Sequence, residues 1–274
     1  MSMTLRRTST RTAIALCGAI FFLPYLVILI DSFRPSASIH VAPLSIFGGG
    51  WSLHNYQNVL AHNHILRFYM NSALVTTGIV GLQLLLGIPA AFALGHLEPV
   101  GSRVIRLLVI VALSVPTPAI AITNYLAISH LGLVDTRLGL IVPFAASAFG
   151  LYLMSEYAAS VPRTQLDVSS LFGLGIWSRF LHVVLPQMKP GIYAFSAFAF
   201  IGWWNEFFWP FIVLQDQRKW TVPFSIYNFL FNTPSALPDW GPLMAAATIA
   251  LLPLIVFLVL VRRSFSKLIA FAQL

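Results

Sequence analysis

Between Arg67 and Glu98 the chain carries no Asp, Glu, Lys or Arg. A helix needs roughly 17–25 predominantly apolar residues to cross the hydrocarbon core of a bilayer, so this run is long enough to span one. Five further blocks share the pattern, and together the six occupy residues 13–30, 69–94, 107–131, 138–155, 191–214 and 240–261. Only the fifth contains a charged residue, Glu206. Composition agrees, with 58% hydrophobic and 9% charged residues, against roughly 25% charged in ordinary soluble domains. Mean hydropathy is +0.83. The expectation is an all-α integral membrane protein with six transmembrane helices and no large soluble domain.

The first block follows Arg6, Arg7 and Arg11. A secretory signal peptide would share that basic front, but its apolar core is only about 7–15 residues. The eighteen residues of 13–30 therefore read as an uncleaved spanning helix. Cys17, the single cysteine, lies inside this block and rules out an intrachain disulfide. It reads as a small apolar residue.

The net charge of +8 invites a nucleic-acid reading. The basic residues instead lie at the ends of the apolar blocks, where they set topology rather than form a patch. Six spans place both termini on one side. That side also carries the second and fourth connections, and it holds eleven of the sixteen Lys and Arg. Positive residues stay inside, so both termini and the connection at about 156–190 are expected in the cytoplasm. The chain divides into a tail at 1–12, a transmembrane domain at 13–262 and a tail at 263–274. Residues 31–68, with Pro35, Pro43 and Gly48-Gly49-Gly50, read as an external connection of little regular structure. His62 and His64 flank Asn63 there, without a carboxylate or third ligand nearby, so no metal site is read.

Two stretches carry functional weight. The first is the connection 156–190. Its Ser-rich part meets Gly173-Leu174-Gly175, and Trp177, Phe180, Leu181 and Val184 then fall on one helical face. Helix, glycine turn, helix is the expectation, with Pro186 and Pro190 closing it. Leu166, Leu171, Phe172 and Leu174 form an apolar surface that an aqueous loop would not expose without a partner. Asp167 stands near the start of the first helix, where it can complement the helix dipole. Gly173 and Gly175 can equally serve only to end that helix.

The second stretch is Trp203-Trp204-Asn205-Glu206-Phe207-Phe208-Trp209-Pro210. A carboxylate inside an apolar block is a functional candidate by default. Glu206 is sixteen residues beyond Pro190, roughly 24 Å at 1.5 Å per residue. That depth and the three tryptophans also fit a carboxylate anchored at the outer headgroup level. Two readings stand: an interfacial anchor, or a polar group of a translocation pathway formed with Trp203 and Asn205.

These stretches resemble the permease subunits of binding-protein-dependent ABC importers of the carbohydrate-uptake (maltose) type. Asp167, Val168 and Ser169 stand where that family has Glu-Ala-Ala. Gly173 takes the family glycine, and Phe180, Leu185 and Pro186 fit the closing pattern, while Phe172 replaces an Asp. Leu131-Gly132-Leu133-Val134-Asp135-Thr136, Trp204-Asn205-Glu206-Phe207, Thr221-Val222-Pro223 and Asp239-Trp240-Gly241 resemble further family segments in the same order. The resemblance implies an ATPase-coupling loop made of Asp167, Ser169, Phe172, Gly173, Leu174, Phe180 and Pro186. It implies a second homologous permease subunit, two ATP-binding cassette subunits and an extracytoplasmic sugar-binding protein, in a bacterial inner membrane. ATP and Mg would sit on the cassette subunits, since this chain has no Gly-x-x-x-x-Gly-Lys-Ser/Thr. The expected cofactor complement of the chain itself is none.

An intramembrane enzyme is one alternative, and it needs a nucleophile and base or metal ligands at span depth. Gly50-Trp51-Ser52 is half of a hydrolase elbow without its closing glycine, and no His-Glu-x-x-His occurs. A proton-coupled secondary transporter is another, with a single carboxylate within a block to work with.

Overall fold

The structure, a computed structural model, describes residues 2–41, 50–62, 64–231 and 238–271. Among these residues every regular element is a helix. The Gly48-Gly49 turn, the His62 side chain with Asn63, and the basic side chains of both tails lie outside the described set.

In chain order, α1 (Ser2–Asp31) carries the first apolar block, and α2 (Ser36–Val41) and α3 (His54–His62) are short. Helix α4 (Ile65–Phe92) passes Pro89 and runs on through a π turn at Ala93–Leu97. Then come α5 (Ser102–Leu113), α6 (Ala121–His130), α7 (Arg137–Ile141) and α8 (Ala148–Ala159). The connection that follows holds α9 (Arg163–Leu171) and α10 (Ile176–Arg179). A second π turn, Phe180–Val184, leads into α11 (Leu185–Trp204). Last are α12 (Phe208–Val213), α13 (Val222–Phe231) and α14 (Trp240–Phe271).

Among the described residues, Ile65–Leu97 and Trp240–Phe257 are helices long and apolar enough to cross a bilayer. Two bent pairs raise that number to four if each is one span: Ser102–Leu113 with Thr117–His130 at 99°, and Arg137–Phe144 with Ala148–Ala159 at 46°. The third block bends at Pro116 and Pro118, the fourth bends before α8, and the fifth breaks where α11 stops at Asn205. Each break is marked by particular groups. Pro116 and Pro118 offer no amide hydrogen at the first bend. At the second, Ser147 caps α8 by accepting the Gly150 N–H at 3.0 Å. At the third, Asn205 turns its amide back onto the Ile201 carbonyl at 2.8 Å.

Pro186 and Pro190 do not close the second loop helix. The chain is helical without a break from Ile176 to Trp204. The π turn explains this, because the Leu185 N–H reaches the Phe180 carbonyl, five residues back. The chain is thus carried past the missing donor of Pro186 by a widened turn.

The chain forms two compact units, Met1–Leu66 with Ser225–Leu252, and Arg67–Phe224 with Pro253–Leu274. In the first, a buried Arg34–Asp31 ion pair at 2.7 Å lies beside Asn55. The Asn55 amide donates to the carbonyls of Ser32 and Arg34 at 2.9 and 2.8 Å. Ser36 Oγ bonds the Asp239 carboxylate and accepts the Gly241 N–H at 2.8 Å. In the second unit, Phe92, Met154, Ala158, Phe180, Val184 and Met188 form a buried cluster. Helices α8 and α11 approach closely because Gly191 has no side chain: a Cβ there would lie 2.3 Å from the Tyr157 ring.

Candidate functional site

Helix α9 ends in a Schellman motif. The Leu174 N–H bonds the Ser169 carbonyl at 3.2 Å and the Gly173 N–H bonds that of Ser170 at 3.0 Å. Gly173 occupies the left-handed position with φ +76°, and open space surrounds where its Cβ would be. The turn itself therefore demands the glycine, not crowding within this chain. Gly175 has an ordinary φ of −66°.

The loop has an anchored side and a free side. Leu166 and Phe180 belong to the core cluster, with Phe180 4.9 Å from the Phe92 ring. Ser169 is buried, its hydroxyl donated to the Leu166 carbonyl at 2.7 Å. Asp167, Leu174 and Pro186 are exposed. Leu171 and Phe172 project most, at 85% and 82% exposure, and Trp177 follows at 67%. Of the predicted loop residues, then, Ser169 and Phe180 hold the loop down while Asp167, Phe172 and Leu174 face outward. Leu166 does not join the exposed surface expected for it. Arg163 pairs with Glu98 at 2.5 Å, tying the loop to the preceding connection. Both partners are well exposed, so the pair adds little stability.

Glu206 lies in the break between α11 and α12. Its Oε1 accepts the Trp209 N–H at 3.0 Å, which caps α12. Glu206 and Trp203 line two cavities, one with Ser72, Thr76 and Trp209, the other with Gln83, Ser147 and Phe149. Asn205 lines neither.

A third feature is legible only in three dimensions. The Leu131–Thr136 turn, Asn71-Ser72 and residues 213–222 are knitted together. Asp135, at φ +56°, accepts the Gln215 and Asp216 N–H groups at 3.0 and 3.1 Å and pairs with Lys219 at 2.7 Å. Asn71 donates to the carbonyls of Arg218 and Trp220, both at 2.9 Å, and accepts from Arg137 at 2.8 Å. Burial pushes the Asp135 carboxyl up, but Lys219 and the two amides together hold it below its usual range. The Arg218 side chain and amide hold Asp216 down to about 2.

Comparison with known proteins decides the family. Residues 83–270 match the family described as "Binding-protein-dependent transport system inner membrane component". The chain belongs to this family. The chain is similar to the diacetylchitobiose uptake system permease protein NgcG of Streptomyces coelicolor, 30% identical over 90% of this chain and 82% of that protein. The arabinooligosaccharides transport system permease protein AraQ of Bacillus subtilis is 24% identical, over 90% and 88%. The sn-glycerol-3-phosphate transport system permease protein UgpE of Brucella abortus is 24% identical, over 89% of each. The fold matches a chain of a bacterial ABC transporter that imports the acidic polysaccharide alginate, with TM-score 0.83, 19% identity, and 97% and 98% coverage. This chain is accordingly a membrane component of a binding-protein-dependent transport system, and its all-α architecture is that of an ABC importer permease.

In this transport component the sequence pointed to the loop and to Glu206. It missed the knit around Asp135, although Leu131–Thr136 and Thr221–Pro223 had both been singled out. The signal was Asp135, a charge with no oppositely charged residue within Leu131–Thr136. It also missed Gln83 and Ser147, whose place beside Glu206 depends on how separate helices meet.

Proposed function

We propose that the chain is the permease subunit of an ATP-driven importer of a sugar or sugar derivative. It pairs with a second homologous permease subunit in the lipid bilayer. Two ATP-binding cassette subunits engage its 156–190 loop, and an extracytoplasmic binding protein delivers the substrate. The observation that carries the reading is the loop's two-sided build. Leu166 and Phe180 anchor it in the core, while Leu171, Phe172 and Trp177 stand exposed at its tip. An apolar tip on a rigidly held loop is a surface for a partner. The relatives named for diacetylchitobiose and arabinooligosaccharide uptake support the substrate class. The chain performs no catalysis and binds no ATP or Mg, which belong to the cassette subunits. Its six apolar blocks cross the membrane six times with both termini in the cytoplasm, a reading supported by the distribution of Lys and Arg.

Co-purification tests it. With wild-type loop the cassette subunits co-purify with this chain. With Leu171→Ser and Phe172→Ser together they are lost, while the two permease subunits remain paired. Retention of the cassette subunits by the double variant would remove the loop from the interface. Reconstituted alone, the chain is expected to show neither ATP hydrolysis nor sugar uptake.

A further inference from the structure

Three consecutive apolar blocks break at one place. Thr117 follows the Pro116 bend, Ser147 sits at the bend before α8, and Glu206 lies in the gap after α11. All three line a single cavity of about 240 Å³, with Gln83, Phe149 and Trp203. Broken helices leave backbone groups without helical partners, and a bilayer tolerates this only where the breaks are packed in protein or face a polar cavity. Gln83 adds an independent sign. It is 4% exposed, and its amide donates to the Phe144 carbonyl at 2.9 Å. Its Oε1 is buried with no hydrogen-bond partner. An orphaned buried acceptor is costly, and a ligand donor removes the cost.

The lining fixes the ligand's chemistry. Gln83 Oε1 and the Glu206 carboxylate are acceptors, and the Ser147 hydroxyl already accepts the Gly150 N–H while its own hydrogen is free to turn toward a ligand. Phe149 and Trp203 supply flat apolar faces. Among the described residues no Arg, Lys or His lines the cavity, so none of them balances the charge of an anionic guest against Glu206 in a low-dielectric setting. The volume falls just under the usual range of ligand pockets, roughly 300–1,000 Å³, which suits a single ring.

We propose that this cavity holds one ring of a neutral, hydroxyl-rich saccharide in transit, so that this subunit itself contacts and selects the substrate. Ring hydroxyls donate to Gln83 Oε1 and Glu206, the ring face lies against Trp203, and phosphorylated sugars and uronates are disfavoured. The proposal rests on the importer reading above.

The test uses the assembled transporter in proteoliposomes with ATP on the cassette side. Labelled maltose and cellobiose serve as neutral probes, and a uronic-acid disaccharide and glycerol 3-phosphate as anionic ones. Wild type is expected to favour the neutral probes. Gln83→Leu raises KM for them about tenfold, the loss of roughly one hydrogen bond to a buried group. Glu206→Gln keeps an oxygen for the Trp209 N–H and narrows the preference against the anionic probes. Should Gln83→Leu fail to assemble, Glu206→Gln carries the test. Wild-type KM and selectivity in both variants, or a wild-type preference for the anionic probes, would overturn the cavity assignment and leave the importer reading intact. Absence of any ATP-driven uptake by wild type would instead overturn the importer reading, and this proposal with it.

Discussion

Gly173 and Gly175 both have open space where a side chain would go, but their backbone conformations differ. Gly173 is held at φ +76° by the two hydrogen bonds that end α9, and a side chain in the left-handed region costs roughly 1–2 kcal/mol. Gly175 has φ −66° and open space around it. Gly173→Ala is therefore expected to weaken cassette-subunit binding in a pull-down, Gly173→Val more so, and Gly175→Ala to leave it unchanged. Equal effects at the two positions would contradict the turn as the origin. Gly191 is a different case, since its constraint is packing. A methyl there meets the Tyr157 ring at 2.3 Å, and overpacking a fitted contact costs about 1–3 kcal/mol. Gly191→Ala should lower the melting temperature in detergent by several degrees, and Tyr157→Leu in the same chain should recover part of the loss.

The elements joined at Asp135 are held by charge and hydrogen bonds as well as by buried apolar residues such as Val213 and Val222. The Asp135 and Asp216 carboxyls sit below their unfolded value, ordinarily about 3.9, the latter at about 2. The unfolded chain then binds more protons in acid than the folded one. The stabilisation is complete above the unfolded value and is lost as the pH falls from about 4 towards 2. Melting temperature measured between pH 6 and pH 2.5 should drop in wild type below about pH 4. Asp135→Asn should melt lower at neutral pH and show a shallower acid dependence. An identical acid slope in wild type and variant would place the titrating groups elsewhere.

For the whole molecule, transmembrane topology is tested by cysteine labelling, and burial decides which positions report it. Ser169 lies in the loop but is buried, so a cysteine there would report poorly. Leu171, 85% exposed, is the better site, and Gln217 is exposed on the opposite set of connections. With Cys17→Ala as background, a membrane-impermeant maleimide added to intact cells should label Gln217→Cys and spare Leu171→Cys. Labelling of Leu171→Cys from outside would reverse the assigned orientation.

Sequence alone determined that the chain is helical and belongs in a membrane, because nothing but a bilayer accommodates six apolar blocks with so few charges. It also placed the turn at Gly173, since a glycine after a short polar helix is a local signal that needs no tertiary contact. Where the helices break, and what the breaks enclose, was decided by tertiary structure. Pro89, Pro186 and Pro190 lie within continuous helix, while the chain bends sharply beside Pro116. The same residue type gives opposite outcomes, because neighbouring turns and helices determine whether the lost hydrogen bond can be made good. For the same reason Glu206 could be noticed in the sequence but not interpreted. Its partner Trp209 is three residues away, but Gln83 comes from another helix and Ser147 from the start of a third, and only packing sets the three around one cavity.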